Sequence, residues 1–213
     1  MGRINKGILG GFSGKVGTVV GANWRGIDVM RSLPKISNRQ PSARQLEVRT
    51  RFTLVARFLA PIKSLLSLYF GQPSGEKSRF NLAFSYHNLQ AIIGDYPNYD
   101  IDYQKVIISK GELLGAQQPE ITALSGAELK FNWTDNSGQG EALATDQMLF
   151  LVFNPVRRLF AYRTDGATRD QGSFVFGLPG SWTGDTVHSW IAVVNDNGSE
   201  CSISAYLGSA QLL

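Results

Sequence analysis

The sequence has little of what cross-linking, metal binding and nucleophilic catalysis draw on: of 213 residues, one is cysteine and two are histidine. A lone thiol, Cys201, excludes an internal disulfide and a cysteine-built zinc cage, and it suits a reducing compartment. With His87 and His188 the only imidazoles, a Ser-His-Asp or Cys-His site would have to use one of them. His188 adjoins Ser189, but neighbours on a strand point to opposite faces and make no nucleophile–base pair. His87 falls in a predicted helix as a surface or partly buried residue, and neither histidine has a carboxylate at helical metal-ligand spacing. These absences point away from an enzyme, and no cofactor is expected.

Long apolar runs are missing too. Met148–Phe153 and Ile191–Val194 are far shorter than the roughly 20 residues of a bilayer-crossing helix, so no membrane-spanning segment is expected. The first twelve residues place basic side chains before a few apolar ones, but glycines interrupt the apolar part and no small-x-small cleavage pattern follows. No classical signal peptide is therefore expected; a cytoplasmic location follows, with unconventional export left open.

Three motifs carry little weight, two because they fail on detail and one because it is common. Gly10-Gly11-Phe12-Ser13-Gly14-Lys15 resembles a phosphate-binding loop, yet Leu9 stands where the first glycine belongs and Val16 where a magnesium-binding hydroxyl belongs. Asp95, Asp100 and Asp102 cluster without the ligand spacing or central glycine of an EF-hand, and read as a solvated acidic loop. Asn132-Trp133-Thr134 and Asn197-Gly198-Ser199 match the glycosylation sequon, which short sequences produce by chance.

What is present is a charge split. Residues 1–63 hold twelve Lys and Arg against Asp28 and Glu47, a balance of +10, whereas the remainder holds nine against fifteen acids, a balance of −6. A chain with opposite ends of opposite sign offers its basic end either to an anionic partner or to the acidic end of another copy. Lys6, Lys15, Trp24, Arg25, Arg31, Lys35, Arg39, Arg44, Arg49, Arg51 and Arg57 are the candidate interface or anion-binding residues. Cations interleaved with aromatics suit nucleic-acid backbones and bases, but no helix-turn-helix, RNA-recognition or basic-zipper signature accompanies them.

Eight glycines punctuate residues 1–34, and the runs Val16–Val20 and Trp24–Met30 predict a hairpin over 15–31 that turns at Gly21-Ala22-Asn23. Pro41 and Ser42-Ala43-Arg44-Gln45, which has capping-box form, start a helix over 42–70. Val48, Phe52, Val55, Leu59 and Ile62 form its apolar stripe, and Pro61 kinks it. A further helix over 76–93 should bury Phe80, Phe84, Leu89 and Ile92. Strands are predicted at 103–108, 129–133, 148–153, 159–162, 173–176, 186–194 and 199–206, the last two joined at Asp196-Asn197-Gly198.

The predicted fold is α+β: a basic N-terminal region over 1–101, then a β-sandwich over 102–213. Leu129-Lys130-Phe131-Asn132-Trp133, Leu178-Pro179-Gly180 and His188–Val193 resemble a fibronectin type III or immunoglobulin-like sandwich, which implies an antiparallel two-sheet domain. Across the whole chain, Gly2–Gly21 with Trp24-Arg25-Gly26 and Phe58-Leu59-Ala60-Pro61 is similar to a family of roughly 200-residue uncharacterised proteins from Bacteroidota. That resemblance implies a bacterial origin and a shared architecture, but no activity. The expected role is a non-enzymatic structural protein that self-assembles into a homo-oligomer, as a filament, tube or shell. The alternatives are nucleic-acid binding through the basic third and a carbohydrate- or protein-binding surface module.

Overall fold

The computed structural model describes residues 2–4, 10–24, 26–35, 39–73, 75 and 77–213. The chain divides into two compact units, Met1–Ser42 and Ala43–Leu213. The boundary falls at residue 42, not near 101, because the helices share a core with the sandwich.

The N-terminal unit is an antiparallel sheet, ordered β1 (Arg3–Ile4), β2 (Phe12–Val16), β3 (Val19–Trp24) and β4 (Ile27–Ser32). Its turns lie on either side of the predicted one. Val16 pairs with Val19 and Trp24 with Ile27 across two-residue turns containing Gly17 (φ 57°) and Gly26 (φ 87°), the positive angles that tight hairpins require. Gly21, expected in a turn, sits mid-strand. A Cβ there would lie 2.1 Å from the Phe12 carbonyl oxygen, so glycine is needed for close approach of β2. Because Phe12–Val16 is a strand, the phosphate-loop reading is excluded by structure as well as by sequence.

In the second unit α1 (Ala43–Leu59) passes through a 3₁₀ turn at Ala60–Ile62 into α2 (Lys63–Tyr69), the break falling at Pro61 as expected. α3 (Arg79–Gln90) is capped by the Ser78 hydroxyl, which accepts from the Asn81 amide. It ends short of 93: Ile92–Ile93 forms β5, paired with β6 (Asp100–Ile101). Asp102 caps a 3₁₀ turn at Tyr103–Lys105, so the strand expected over 103–108 is absent.

The sandwich follows. One sheet is ordered β10 (Leu159–Arg163), β9 (Gln147–Asn154), β12 (Thr186–Val194), β13 (Ala205–Gln211), and the other β11 (Ser173–Gly177), β8 (Glu128–Thr134), β7 (Gln117–Leu124). All neighbours are antiparallel. β7 escaped sequence reading because Pro119 interrupts it. Proline is tolerated there because β7 is an edge strand with an irregular register between Gln117 and Glu120. Cys201 bridges back to Val194 as the predicted hairpin requires, but the regular strand starts at Ala205, not Ser199, because the next residues also bond to the connecting segment: the Ser109 hydroxyl donates to the Ser202 carbonyl and the Ile108 amide donates to the Ser204 hydroxyl.

β9 and β12 are buried on both faces. Met148, Phe150, Val152, Val187, Ile191 and Val193 point into the sandwich core with Leu129, Phe131 and Trp133. Leu149, Leu151, Phe153, Trp190, Ala192 and Val194 point the other way, into a second core with Val55, Leu59, Ile62, Leu65 and Leu66 of the helices. The result is three layers, sheet on sheet on helix, and it explains why these two strands read as continuous apolar runs without alternation. Trp190 ties the layers to the connecting segment, its indole donating to the Val106 carbonyl at 3.0 Å. Inside the sandwich Arg169 and Asp146 form an almost fully buried ion pair at 3.0 Å.

Candidate interface and basic face

Strand register decides which N-terminal side chains share a face, since paired residues in an antiparallel ladder point the same way. Lys15 pairs with Val20, which pairs with Arg31; Ala22 pairs with Val29 and Trp24 with Ile27. Lys15, Arg31, Trp24, Ile27 and Val29 therefore lie together, cations beside apolar side chains. Trp24 is 48% exposed and Ile27 51%. The opposite face carries Val16, Met30 and Asp28, with Met30 69% exposed.

Among the described residues of this unit no apolar side chain is buried, and β4 is exposed along its whole length with no strand on its outer side. Residues 1–42 also carry seven Lys and Arg against the single acid Asp28. Of the other candidates, Lys35 and Arg39 lie beyond β4, while Lys6 and Arg25 fall outside the described residues.

The remaining four, Arg44, Arg49, Arg51 and Arg57, stand on α1 in the other unit and do not act as one face. Arg44 is exposed in the first turn. Arg51 is structural: it donates to the Asn88 carbonyl at 3.1 Å, and its guanidinium lies 5.7 Å from the centre of the Tyr99 ring. Arg49 and Arg57 line a groove beside Arg158, which the sequence reading left out because nothing local distinguishes it from Arg157.

The apolar stripe of α1 is also shorter than expected. Only from Val55 onward is it buried; Val48 and Phe52 are more than half exposed, Phe52 resting on Phe84 at 4.6 Å. In α3 the buried positions are Ala83 and His87, while Leu89 is exposed. The continuous helical stretch Ala43–Tyr69 spans 27 residues with an 18-residue window of mean hydropathy 1.3, enough by length and composition to cross a membrane, although no single apolar run in it is long. A third of that window is buried, the part that covers the sandwich sheet.

Neither histidine is placed beside a nucleophile. His87 is fully buried, its Nδ1 2.7 Å from the Ala83 carbonyl, and burial lowers its pKa. His188 stacks on Tyr103 at 4.1 Å and meets the Tyr206 hydroxyl at 2.7 Å, with burial again lowering its pKa. The Cys201 thiol donates to the Tyr69 carbonyl, and burial pushes its pKa up, away from a reactive thiolate. Among the described residues no group of three or more His, Cys, Asp or Glu is arranged to hold a metal. Asp102 instead caps a turn and pairs with Lys105 at 3.5 Å.

A family model described as "Family of unknown function (DUF6266)" matches residues 11–208. The chain belongs to that family. A search of curated proteins found no match. Among solved structures, the fn3 domain of human collagen alpha-1(XX) chain aligns over 49% of this DUF6266 chain and 88% of its own length, at 12% identity and TM-score 0.34. The fn3 domain of human contactin 1 aligns over 48% and 84%, at 10% identity and TM-score 0.30. The antiparallel sandwich rests on the strand order itself, β11-β8-β7 against β10-β9-β12-β13.

Proposed function

We infer that this DUF6266 protein is a non-enzymatic structural protein that self-assembles into a homo-oligomer through its N-terminal sheet, and that it comes from the Bacteroidota. The observation that carries the self-assembly reading is a sheet without a core: residues 1–42 bury no apolar side chain among those described, yet present Trp24, Ile27 and Val29 on one face and leave the β4 edge open. A small sheet of this kind is marginal in water until something covers it, and an open edge is a template for another strand. A second copy is the occupant favoured by charge, because the +10 of residues 1–63 is matched by −6 over the rest of the chain. Contacts between unlike ends are head-to-tail and propagate unless a ring closes them.

Sedimentation velocity across a concentration series tests the proposal. Wild type grows in size with concentration and shrinks as salt rises, while an Ile27→Glu, Val29→Glu variant stays monomeric with an unchanged second unit. A salt-independent monomer at high micromolar concentration overturns it. Lys15 and Arg31, on the same face as Trp24, also suit a nucleic-acid backbone and a stacked base. Tight duplex or single-strand binding that weakens steeply with salt, by a protein that remains monomeric, would replace the assembly reading with that one.

A further inference from the structure

A groove of about 650 Å³ lies wholly within the second unit, between α1, the segment 99–103 that contains β6, and the β9–β10 hairpin. Its apolar side is built of rings that already touch one another, Phe58 standing 5.3 Å from Phe160 and 6.2 Å from Tyr103. Its polar side is cationic. Arg49, Thr53 and Arg57 recur at intervals of four and so line one face of α1, the two arginines about 12 Å apart along the axis at a rise of 1.5 Å per residue.

Arg158 supplies a third guanidinium from the turn between β9 and β10. That turn is held from behind: the Arg157 amide donates to the Asn154 side chain at 3.1 Å, and its guanidinium donates to Asp185 at 2.7 Å and to the Ser181 carbonyl. With Arg157 fixed, the next residue takes the left-handed conformation, φ 56°, at a non-glycine position. Such a conformation is strained for a side chain with a Cβ and persists where the surroundings impose it, often at binding sites.

Among the described residues none of Arg49, Arg57 and Arg158 is ion-paired with a carboxylate. Asp100 lines the same groove, but one of its oxygens is committed to the Ile101 amide at 2.8 Å. Three cations against one acid, beside an aromatic wall, favour a negative ligand with an apolar body.

We propose that this groove is a binding site for a small amphipathic anion, a carboxylate, sulfonate or phosphate ester whose apolar part lies against Phe58, Phe160 and Tyr103 while its acid group sits among Arg49, Arg57 and Arg158. The site is separate from the sheet invoked for assembly and stands whether or not the protein oligomerises.

Two dyes with the same ring system separate the charge from the apolar contact: 1-anilinonaphthalene-8-sulfonate, which is anionic, and N-phenyl-1-naphthylamine, which is not. Fluorescence titration of the full chain should give saturable sulfonate binding that Arg57→Gln and Arg158→Gln each weaken about tenfold, the scale of a charge-assisted hydrogen bond. Arg163→Gln, at the far end of β10, should leave it unchanged, and N-phenyl-1-naphthylamine should bind both arginine variants as it binds wild type. Phe160→Ala should weaken both dyes. Sulfonate affinity indifferent to Arg57 and Arg158, or equal losses for the charged and neutral dyes, overturns the proposal. The Ile27→Glu, Val29→Glu variant keeps the sulfonate site, so failure of assembly and failure of this site read out separately.

Discussion

Replacing Arg169 by methionine should be among the most damaging single changes in the protein. The guanidinium is fully buried and spends its donors on five acceptor contacts: Nε and Nη2 to one Asp146 oxygen at 3.1 and 3.0 Å, Nη1 to Asn136 at 2.6 Å and to the Gly115 carbonyl at 3.3 Å, and Nη2 to the Leu114 carbonyl at 2.8 Å. Methionine fills much of the volume but leaves the Asp146 carboxylate buried and unpaired, and removing one partner of a buried pair costs about 3–5 kcal/mol. With a urea m-value of about 2 kcal/mol per molar, a loss of about 4 kcal/mol moves the unfolding midpoint down by about 2 M. Circular dichroism across a urea series reads this directly. The double variant Arg169→Met, Asp146→Leu should recover part of the loss, because it removes the stranded charge along with its partner. A midpoint shift below about 0.5 M, or a double variant less stable than the single, would refute this account of the network.

Acid should destabilise the second unit beginning near pH 6.5. Burial depresses both His87 and His188 below their ordinary 6.5, so the unfolded chain takes up protons first and stability falls as pH drops below that value, the larger share coming from the fully buried His87 and the fall ending once the folded-state imidazoles are themselves protonated. Urea midpoints that are equal at pH 7.5 and pH 5.5 would contradict it. Gly21→Ala should disrupt the N-terminal sheet, since its methyl carbon would lie 2.1 Å from the Phe12 carbonyl oxygen, and with it abolish concentration-dependent association in sedimentation. Trp190→Phe deletes the indole bond to Val106 but keeps a ring in the core, for an expected loss of about 1–3 kcal/mol; a midpoint unchanged from wild type would show that the connecting segment is held by other contacts.

Much of the second unit was legible from the chain alone. Pro41 and Pro61 bounded and broke the helix correctly, and five of the strands followed from apolar patterning between Asn, Gly and Pro turns. The failures have local physical causes. Pro119 hid an edge strand, Asp102 turned an apolar segment into a capped 3₁₀ turn, and Ser202 and Ser204 bonded to residues about ninety positions earlier, beyond the reach of periodicity. In the first unit, reading Gly21 as a turn missed that glycine also serves where two backbones approach. The candidate site was legible as a composition, not as a surface. Register was needed to put Lys15, Arg31 and Trp24 on one face, and packing was needed to show that Arg51 holds α1 to its neighbours while Arg49 and Arg57 join Arg158, a residue more than one hundred positions away.

The sheet shared by two cores makes the sandwich unsuitable as an interchangeable bead. In most tandem arrays a sandwich domain keeps its outer faces wet, so it can be cut out and spliced elsewhere. Here, excising residues 43–101 would lay bare Leu149, Leu151, Phe153, Trp190 and Ala192 in one contiguous strip, an adhesive surface instead of a soluble module. Helices and sandwich are therefore expected to melt in a single transition, and an engineer seeking to transplant this domain would have to carry the helical cover with it.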